Sequence, residues 1–224
     1  MEIIPNVHRI PGIIANPYLL IDADGLTLID TGIPGSSRKI LRYMADLGYK
    51  PGDLKRILIT HADMDHVGGL APLKTASGAR VYAHVIEAEA MAAGRPSRPL
   101  KARKTLRRVV FALTGRIFRT RPVQVDERLV DGQVLPVLGG LRVLETPGHT
   151  PGHISFYAPS AAILFVGDSI VSRPTGLRGS QGDNNWDLEK ANESVRRQAA
   201  LGARIVCPGH GEVVMDASGK FPQV

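Results

Sequence analysis

Apolar residues along this chain alternate between two rhythms. Tyr18-Leu19-Leu20-Ile21-Asp22 and Leu26-Thr27-Leu28-Ile29-Asp30 are short apolar runs on either side of Ala23-Asp24-Gly25, which is a hairpin signal. Ile40, Leu41, Met44, Ala45 and Leu47 then recur at helical spacing, with Ser36 or Ser37 placed to cap the helix and Gly48 to end it. Arg56-Ile57-Leu58-Ile59-Thr60 is too short for a helix and reads as a buried strand. A helix over Val67 to Ala76 and a strand over Arg80 to Ala83 complete an alternating α/β pattern.

The middle of the chain differs. Pro96-Ser97-Arg98-Pro99 breaks any helix, and beyond it Leu106, Val109, Val110, Leu113, Ile117 and Phe118 repeat at three- and four-residue intervals. That spacing predicts an amphipathic helix or helix pair interrupted near Gly115. Strand signals return at Leu141–Leu144, Ile154–Tyr157 and Ile163–Val166. Ser172 to Asp187 reads as an irregular Gly-rich loop, Leu188 to Leu201 as a helix and Arg204 to Val206 as a last buried strand. Strands in both halves with helices between them predict two sheets covered by helices.

The 224 residues, 43% hydrophobic and 22% charged, suit one ordinary domain with a sizeable core and argue against disorder. Cys207 is the single cysteine, which excludes an intrachain disulfide and a cysteine-built zinc cluster. The net charge of +7 is local in origin. Ten basic residues and no acidic one fall between Arg95 and Arg121, while the remainder carries a slight acidic excess. A general nucleic-acid-coating role is therefore not indicated. No basic, apolar leader is seen at the N-terminus, and no apolar run approaches the roughly 18 residues of a membrane span. The expectation is a soluble cytoplasmic protein.

Four segments end strands with side chains able to bind metal. Thr60-His61-Ala62-Asp63-Met64-Asp65-His66 follows the strand Ile57-Leu58-Ile59, and Val67-Gly68-Gly69 allows a tight turn after it. Alternate residues His61, Asp63 and Asp65 can project from one side of an extended loop. Imidazoles and carboxylates at this density suit zinc, or a harder ion such as manganese or iron. An exposed loop with a helix cap is the plainer alternative. Thr146-Pro147-Gly148-His149-Thr150-Pro151-Gly152-His153, Gly167-Asp168-Ser169 and Pro208-Gly209-His210-Gly211 each follow another strand. Singly these are weak signals; together they supply what the first cluster lacks for a two-metal site.

His61-x-Asp63-x-Asp65-His66, followed in order by His149, Asp168 and His210 and preceded by Asp30-Thr31-Gly32, resembles the metallo-β-lactamase superfamily. The resemblance runs from about Val7 to His210. It implies a four-layer αββα sandwich with a metal site at one edge of the two sheets, here carrying the basic 95–121 segment as a helical insertion or lid on one domain spanning 1–224. Carried over by position, it puts one divalent ion on His61, Asp63 and His149 and a second on Asp65, His66 and His210, bridged by Asp168. Asp30 becomes an outer carboxylate orienting a ligand histidine. One departure stands out, since the family usually has histidine where this chain has Asp63. Aspartate adds charge and a harder donor, so zinc comes first and manganese or iron become more competitive; an Asp63 that fails to ligate is the alternative.

His153 reads as a supporting residue rather than a ligand, and His84 as a strand-end histidine without metal. His8, in a predicted N-terminal strand, carries no signal. Cys207 reads as a buried inert thiol, and Trp186 as either a pocket wall or a loop anchor. The implied reaction is attack by a metal-bridging hydroxide on a small carbonyl ester, lactone or thioester, with Asp65 shuttling the proton. A small-molecule substrate is expected, nucleic acid is not, and a homodimer is compatible with the chain. A phosphodiesterase or nuclease, and a diiron redox protein, are the alternatives. The first would use the basic segment. The second relies in that family on a fused flavin domain, for which 224 residues leave no room.

Overall fold

The computed structural model describes residues 1–98, 120–180, 182 and 185–224. The predicted amphipathic helix over Leu106 to Phe118 lies outside the described residues. Within them, two mixed sheets carry the architecture.

The first sheet has seven strands in chain order: β1 (Glu2–Ile4), β2 (Val7–Arg9), β3 (Tyr18–Asp22), β4 (Gly25–Ile29), β5 (Leu54–Leu58), β6 (Arg80–His84) and β7 (Glu127–Leu129). β1 to β4 pair antiparallel, and β4 to β7 pair parallel. Tight turns suffice for the former, whereas the latter need crossovers, which helices supply. These are α1 (Ser37–Asp46), α2 (Met64–Val67), α3 (Leu70–Ser77) and α4 (Val85–Ala92). The second sheet has the order β14-β11-β10-β9-β8, built from β8 (Val134–Leu135), β9 (Leu141–Glu145), β10 (Ile154–Ala158), β11 (Ile163–Gly167) and β14 (Ile205–Pro208). A hairpin, β12 (Ile170–Arg173) with β13 (Gly176–Gly179), stands beside it, and α5 (Leu188–Ala199) covers its outer face.

Strand alternation sorts the core into three layers. Tyr18, Leu20, Ile29 and Leu58 from the first sheet meet Val143, Phe156, Phe165 and Cys207 from the second. Leu19, Leu26, Leu28 and Ile57 face the other way, onto Ile40 and Met44 of α1 and Leu70 and Leu73 of α3. Leu144, Leu164, Val166 and Val206 pack with Val195 of α5. The order helix, sheet, sheet, helix is the expected αββα sandwich.

Several sequence expectations need correcting. Val67 to Ala76 is not one helix: α2 ends at Val67 and α3 begins at Leu70. The glycines between them permit close backbone contact. A Cβ on Gly68 would meet the Pro34 nitrogen at 2.3 Å, and one on Gly69 the Thr31 carbonyl oxygen at 2.5 Å. Ser36 does precede α1, yet its side chain makes no capping bond. The stretch after Ser172 is not wholly irregular, because β12 and β13 pair through it, Ser172 opposite Leu177. No helical periodicity marks α4, because Val85–Ala92 is apolar on most sides and lacks a clear helical stripe. No helix among the described residues is long and apolar enough to cross a membrane.

Candidate metal centre

The parallel pairs β4–β5 and β11–β14 aim their C-terminal ends at one edge of the sandwich, the usual place for function in α/β layers. Asp30 follows β4, His61 follows β5, His149 follows β9, Asp168 follows β11 and His210 follows β14. A backbone bond from Ile154 N–H to the Thr60 carbonyl, 3.0 Å, ties the two sheets together at this edge.

All seven expected ligands converge. His61, Asp63 and His149 present donor atoms within 4.8 Å of one another, as do Asp65, His66 and His210, and as do His61, His66 and Asp168. Asp168 spans the groups: its Oδ1 lies 3.2 Å from His66 Nε2, and its Oδ2 lies 3.6 Å from His149 Nε2 and 3.4 Å from His210 Nε2. Asp65 Oδ2 is 3.2 Å from His210 Nε2. Gly209 makes this approach feasible, since a Cβ there would meet Asp168 Oδ1 at 2.4 Å. Asp63 occupies the N-cap position of α2, but its carboxylate makes no capping bond and turns into the cluster instead. The plain loop-and-cap alternative therefore does not describe this segment.

Supporting bonds fix which histidine nitrogens face inward. Asp30 accepts from the Thr60 hydroxyl at 2.7 Å and from the Thr60 N–H at 2.9 Å. With its one hydroxyl proton spent on Asp30, Thr60 Oγ1 must accept from His61 Nδ1, 3.0 Å away. Asp30 Oδ2 also accepts from His66 Nδ1 at 2.8 Å. One carboxylate thus orients both rings and leaves both Nε2 atoms toward the site. Asp30 has the left-handed backbone value φ 57°, a strained geometry held by these bonds. His153 is fully buried. Its Nε2 accepts from the Asp168 N–H at 3.1 Å, so the ring proton sits on Nδ1 and reaches Thr146 Oγ1 at 2.8 Å. Burial, aided by the neighbouring His149, pushes its pKa down to about 3 and keeps it neutral.

The donor chemistry fits metal. Among the described residues, His61 Nε2, His66 Nε2, Asp63 Oδ1 and Asp168 Oδ1 are all buried without a hydrogen-bond partner, a costly arrangement unless a cation satisfies them. Burial opposes a charge on His66, yet the carboxylates of Asp168 and Asp30 outweigh it and raise its pKa well above the ordinary value.

Comparison with known proteins agrees with this geometry. The family model of the metallo-beta-lactamase superfamily matches residues 10–210. The chain belongs to that superfamily. Among its relatives, the probable metallo-hydrolase YflN of Bacillus subtilis is 27% identical over 230 residues, covering 94% of this chain and 85% of YflN. The atrochrysone carboxyl ACP thioesterase of Aspergillus fumigatus is 29% identical over 210 residues, covering 93% of this chain and 54% of the thioesterase. A solved metallo-beta-lactamase structure from Cronobacter sakazakii, described by its HARLDQ motif, superposes with TM-score 0.73 at 30% identity, covering 93% of this chain and 79% of that one. This metallo-beta-lactamase superfamily member is therefore a hydrolase by family, with groups able to hold metal at the expected edge.

Several residues around the centre of this superfamily member escaped sequence reading. Arg98 donates to Asp63 Oδ2 at 2.7 Å and lies 3.4 Å from His149 Nε2, so the extra charge of Asp63 meets a guanidinium. In the sequence Arg98 is one member of a basic run, and only the fold brings it to Asp63. Glu87, fully buried on α4, accepts from Ala62 N–H, Gly152 N–H, Thr150 Oγ1 and Ser97 Oγ. It joins the two ligand loops. Burial raises its pKa, and the four donors oppose that rise. Nothing in the local pattern around Glu87 marks it. Other candidates keep their plain roles. His84 accepts from Ile86 N–H at the start of α4, and Cys207 is buried between the sheets, where burial pushes its thiol pKa up. Trp186 does not line the metal cavity; its backbone N–H donates to the His149 carbonyl at 3.1 Å, which anchors its loop.

Proposed function

We propose that the chain is a two-metal hydrolase of small carbonyl esters, lactones or thioesters. The observation that carries this reading is the pair of three-residue donor groups that share Asp168 beside an open cavity of about 450 Å³. His61, Asp63 and His149 would hold one divalent ion, Asp65, His66 and His210 the other, and Asp168 both. Zinc is the first candidate; the three carboxylates keep manganese and iron competitive. Such ions, when bound, supply Lewis acidity and bring the pKa of water to about 7 in favourable cases.

The chain's own residues do the rest. Asp65 is partly exposed to the cavity, so its carboxylate is placed to accept a proton and pass it to a leaving group. Asp30 and Thr60 hold His61 and His66 in one tautomer each, and His153 pins the backbone of Asp168. Arg98 offsets the charge that Asp63 adds. The similarity to a named thioesterase supports an acyl substrate over a phosphodiester. Ser97 and Arg98, which open the basic segment, reach Glu87 and Asp63. That placement supports the segment as a lid over the same cavity, whose apolar stripe would shape an acyl pocket. A cytoplasmic location goes with this reading.

Elemental analysis of gently purified protein, with a hydrolysis screen over lactone, thioester, β-lactam and phosphodiester probes, tests the proposal. Two metal equivalents and turnover of an acyl probe are expected. Trace metal with no activation by zinc, manganese or iron would overturn it.

A further inference from the structure

The metal cavity carries a second recognition element on the β12–β13 hairpin. Val171, Arg173 and Arg178 line the cavity together with Asp65, Asp168 and His210. Val171 pairs with Arg178 across the hairpin and Arg173 pairs with Gly176. Partners opposite each other share a face, and residues two apart on a strand do so too. The two arginines are therefore diagonal neighbours on one face, with Gly176 opposite Arg173.

Like charges at this spacing repel, and ordinary surfaces relieve that with a nearby carboxylate. Here neither guanidinium has an ion-pair partner among the described residues. Among the described residues Arg178 bonds the Thr175 hydroxyl, at 3.3 Å from both Nε and Nη2, which orients its fork without neutralising it. The hairpin itself is held firmly against the site. Ser172 N–H bonds the His210 carbonyl and Ser180 N–H bonds the Ser169 carbonyl, both at 3.0 Å, while Ile170 and Leu177 are buried in the outer core of the second sheet. The same bonds that seat His210 thus fix where Arg173 and Arg178 project.

The charge balance of the cavity points the same way. Among the described residues, its lining carboxylates, Asp63, Asp65 and Asp168, match its guanidiniums, Arg98, Arg173 and Arg178, one for one. Arg98 is already committed to Asp63. Each divalent ion bound in the cluster would add its full charge to the cavity, which then favours anions and repels cations. Guanidinium forks match the two oxygens of a carboxylate or phosphate in directed, charge-assisted bonds.

We propose that Arg173 and Arg178 form an oxyanion-reading subsite, so that the substrate hydrolysed here bears a second, anionic group besides the bond to be cleaved. This deepens the two-metal hydrolase reading and rests on it for the reaction. The cavity volume of about 450 Å³ holds a short acyl chain ending in such a group. Neutral esters or lactones would bind without the arginines' help.

The test uses zinc-loaded protein and calorimetric binding of butyrate, succinate and 3-phosphonopropionate. Each acid can reach metal through one carboxylate, so differences between them report the far end. Succinate or the phosphonate should bind about tenfold or more tightly than butyrate, the size expected for charge-assisted bonds. The stronger of the two tells which oxyanion the arginines prefer. In R173Q/R178Q the advantage should collapse toward one while metal content holds. A parallel comparison of succinyl and butyryl thioesters with a common leaving group should show the same ratio in kcat/KM, mainly through KM. Equal affinities in the unaltered protein, or an advantage that survives both substitutions, would overturn the subsite. Failure to hydrolyse either thioester, with the binding advantage intact and lost in the double variant, would instead remove thioesters from the proposed substrates and leave the subsite standing.

Discussion

Glu87→Gln isolates what one buried carboxylate does for the metal-ligand loops. Oε1 of Glu87 accepts from Thr150 Oγ1 at 2.8 Å, Ser97 Oγ at 2.9 Å and Gly152 N–H at 3.0 Å, and Oε2 accepts from Ala62 N–H at 2.8 Å. Glutamine keeps only one acceptor oxygen. Placed toward the three donors, that oxygen leaves the amide NH₂ facing the Ala62 N–H, donor against donor. An unmet buried donor costs about 1–3 kcal/mol, and three bonds to a neutral rather than charged acceptor each lose about 1 kcal/mol. The lower cost of burying a neutral amide offsets part of this, for a net loss of about 2–4 kcal/mol. At 2–4 °C per kcal/mol for a chain of this size, Tm should fall by roughly 4–16 °C. Ala62 lies between His61 and Asp63, so metal affinity should fall as well, by about tenfold or more, as for other residues supporting ligands. Glu89→Gln, exposed on the same helix, is the charge-matched control. Thermal unfolding of metal-free protein, with metal titration of both variants, reads the two effects separately. A Glu87→Gln protein that melts and binds metal like the control would refute the claim that this carboxylate ties the loops together.

Asp30→Asn should weaken metal binding by about 10- to 100-fold, because one amide oxygen cannot replace both carboxylate oxygens, Oδ2 accepting from Thr60 Oγ1 and His66 Nδ1 and Oδ1 from the Thr60 N–H; competition with a chromophoric chelator measures it. Asp63→His should shift preference toward zinc over manganese, since the donor becomes neutral and softer, and metal-resolved mass analysis with unchanged preference would mean that Asp63 does not ligate. Chelation should lower Tm, as the buried His61 and His66 Nε2 atoms lose their cation, and zinc should restore it in calorimetric scans. Replacing Leu113 and Ile117 by serine should damage turnover of small esters while neutralising Arg107 and Arg108 should not; the reverse, or salt-sensitive RNA binding, would remove the lid.

Local pattern carried much of the fold and of the centre. Apolar runs such as Leu26-Thr27-Leu28-Ile29 and Ile163-Leu164-Phe165-Val166 became β4 and β11 because a short run bounded by turns has few other ways to bury itself. The residues that could hold metal were legible for a related reason. His61, Asp63, Asp65 and His66 lie within six residues, and the other three each follow a strand, so density and position signal a site without any tertiary knowledge. What the sequence could not display are partners joined only by folding. Arg98 meets Asp63 across 35 positions, Glu87 meets Gly152 across 65, and Tyr18 donates to the Pro208 carbonyl across 190. The split of Val67 to Ala76 into two helices depends on how closely Pro34 and Thr31 approach Gly68 and Gly69. Periodicity records which face of an element is apolar, and composition records which chemistry is available. Which buried polar group meets which is decided when the two sheets close, because only then does each donor have to find an acceptor away from water.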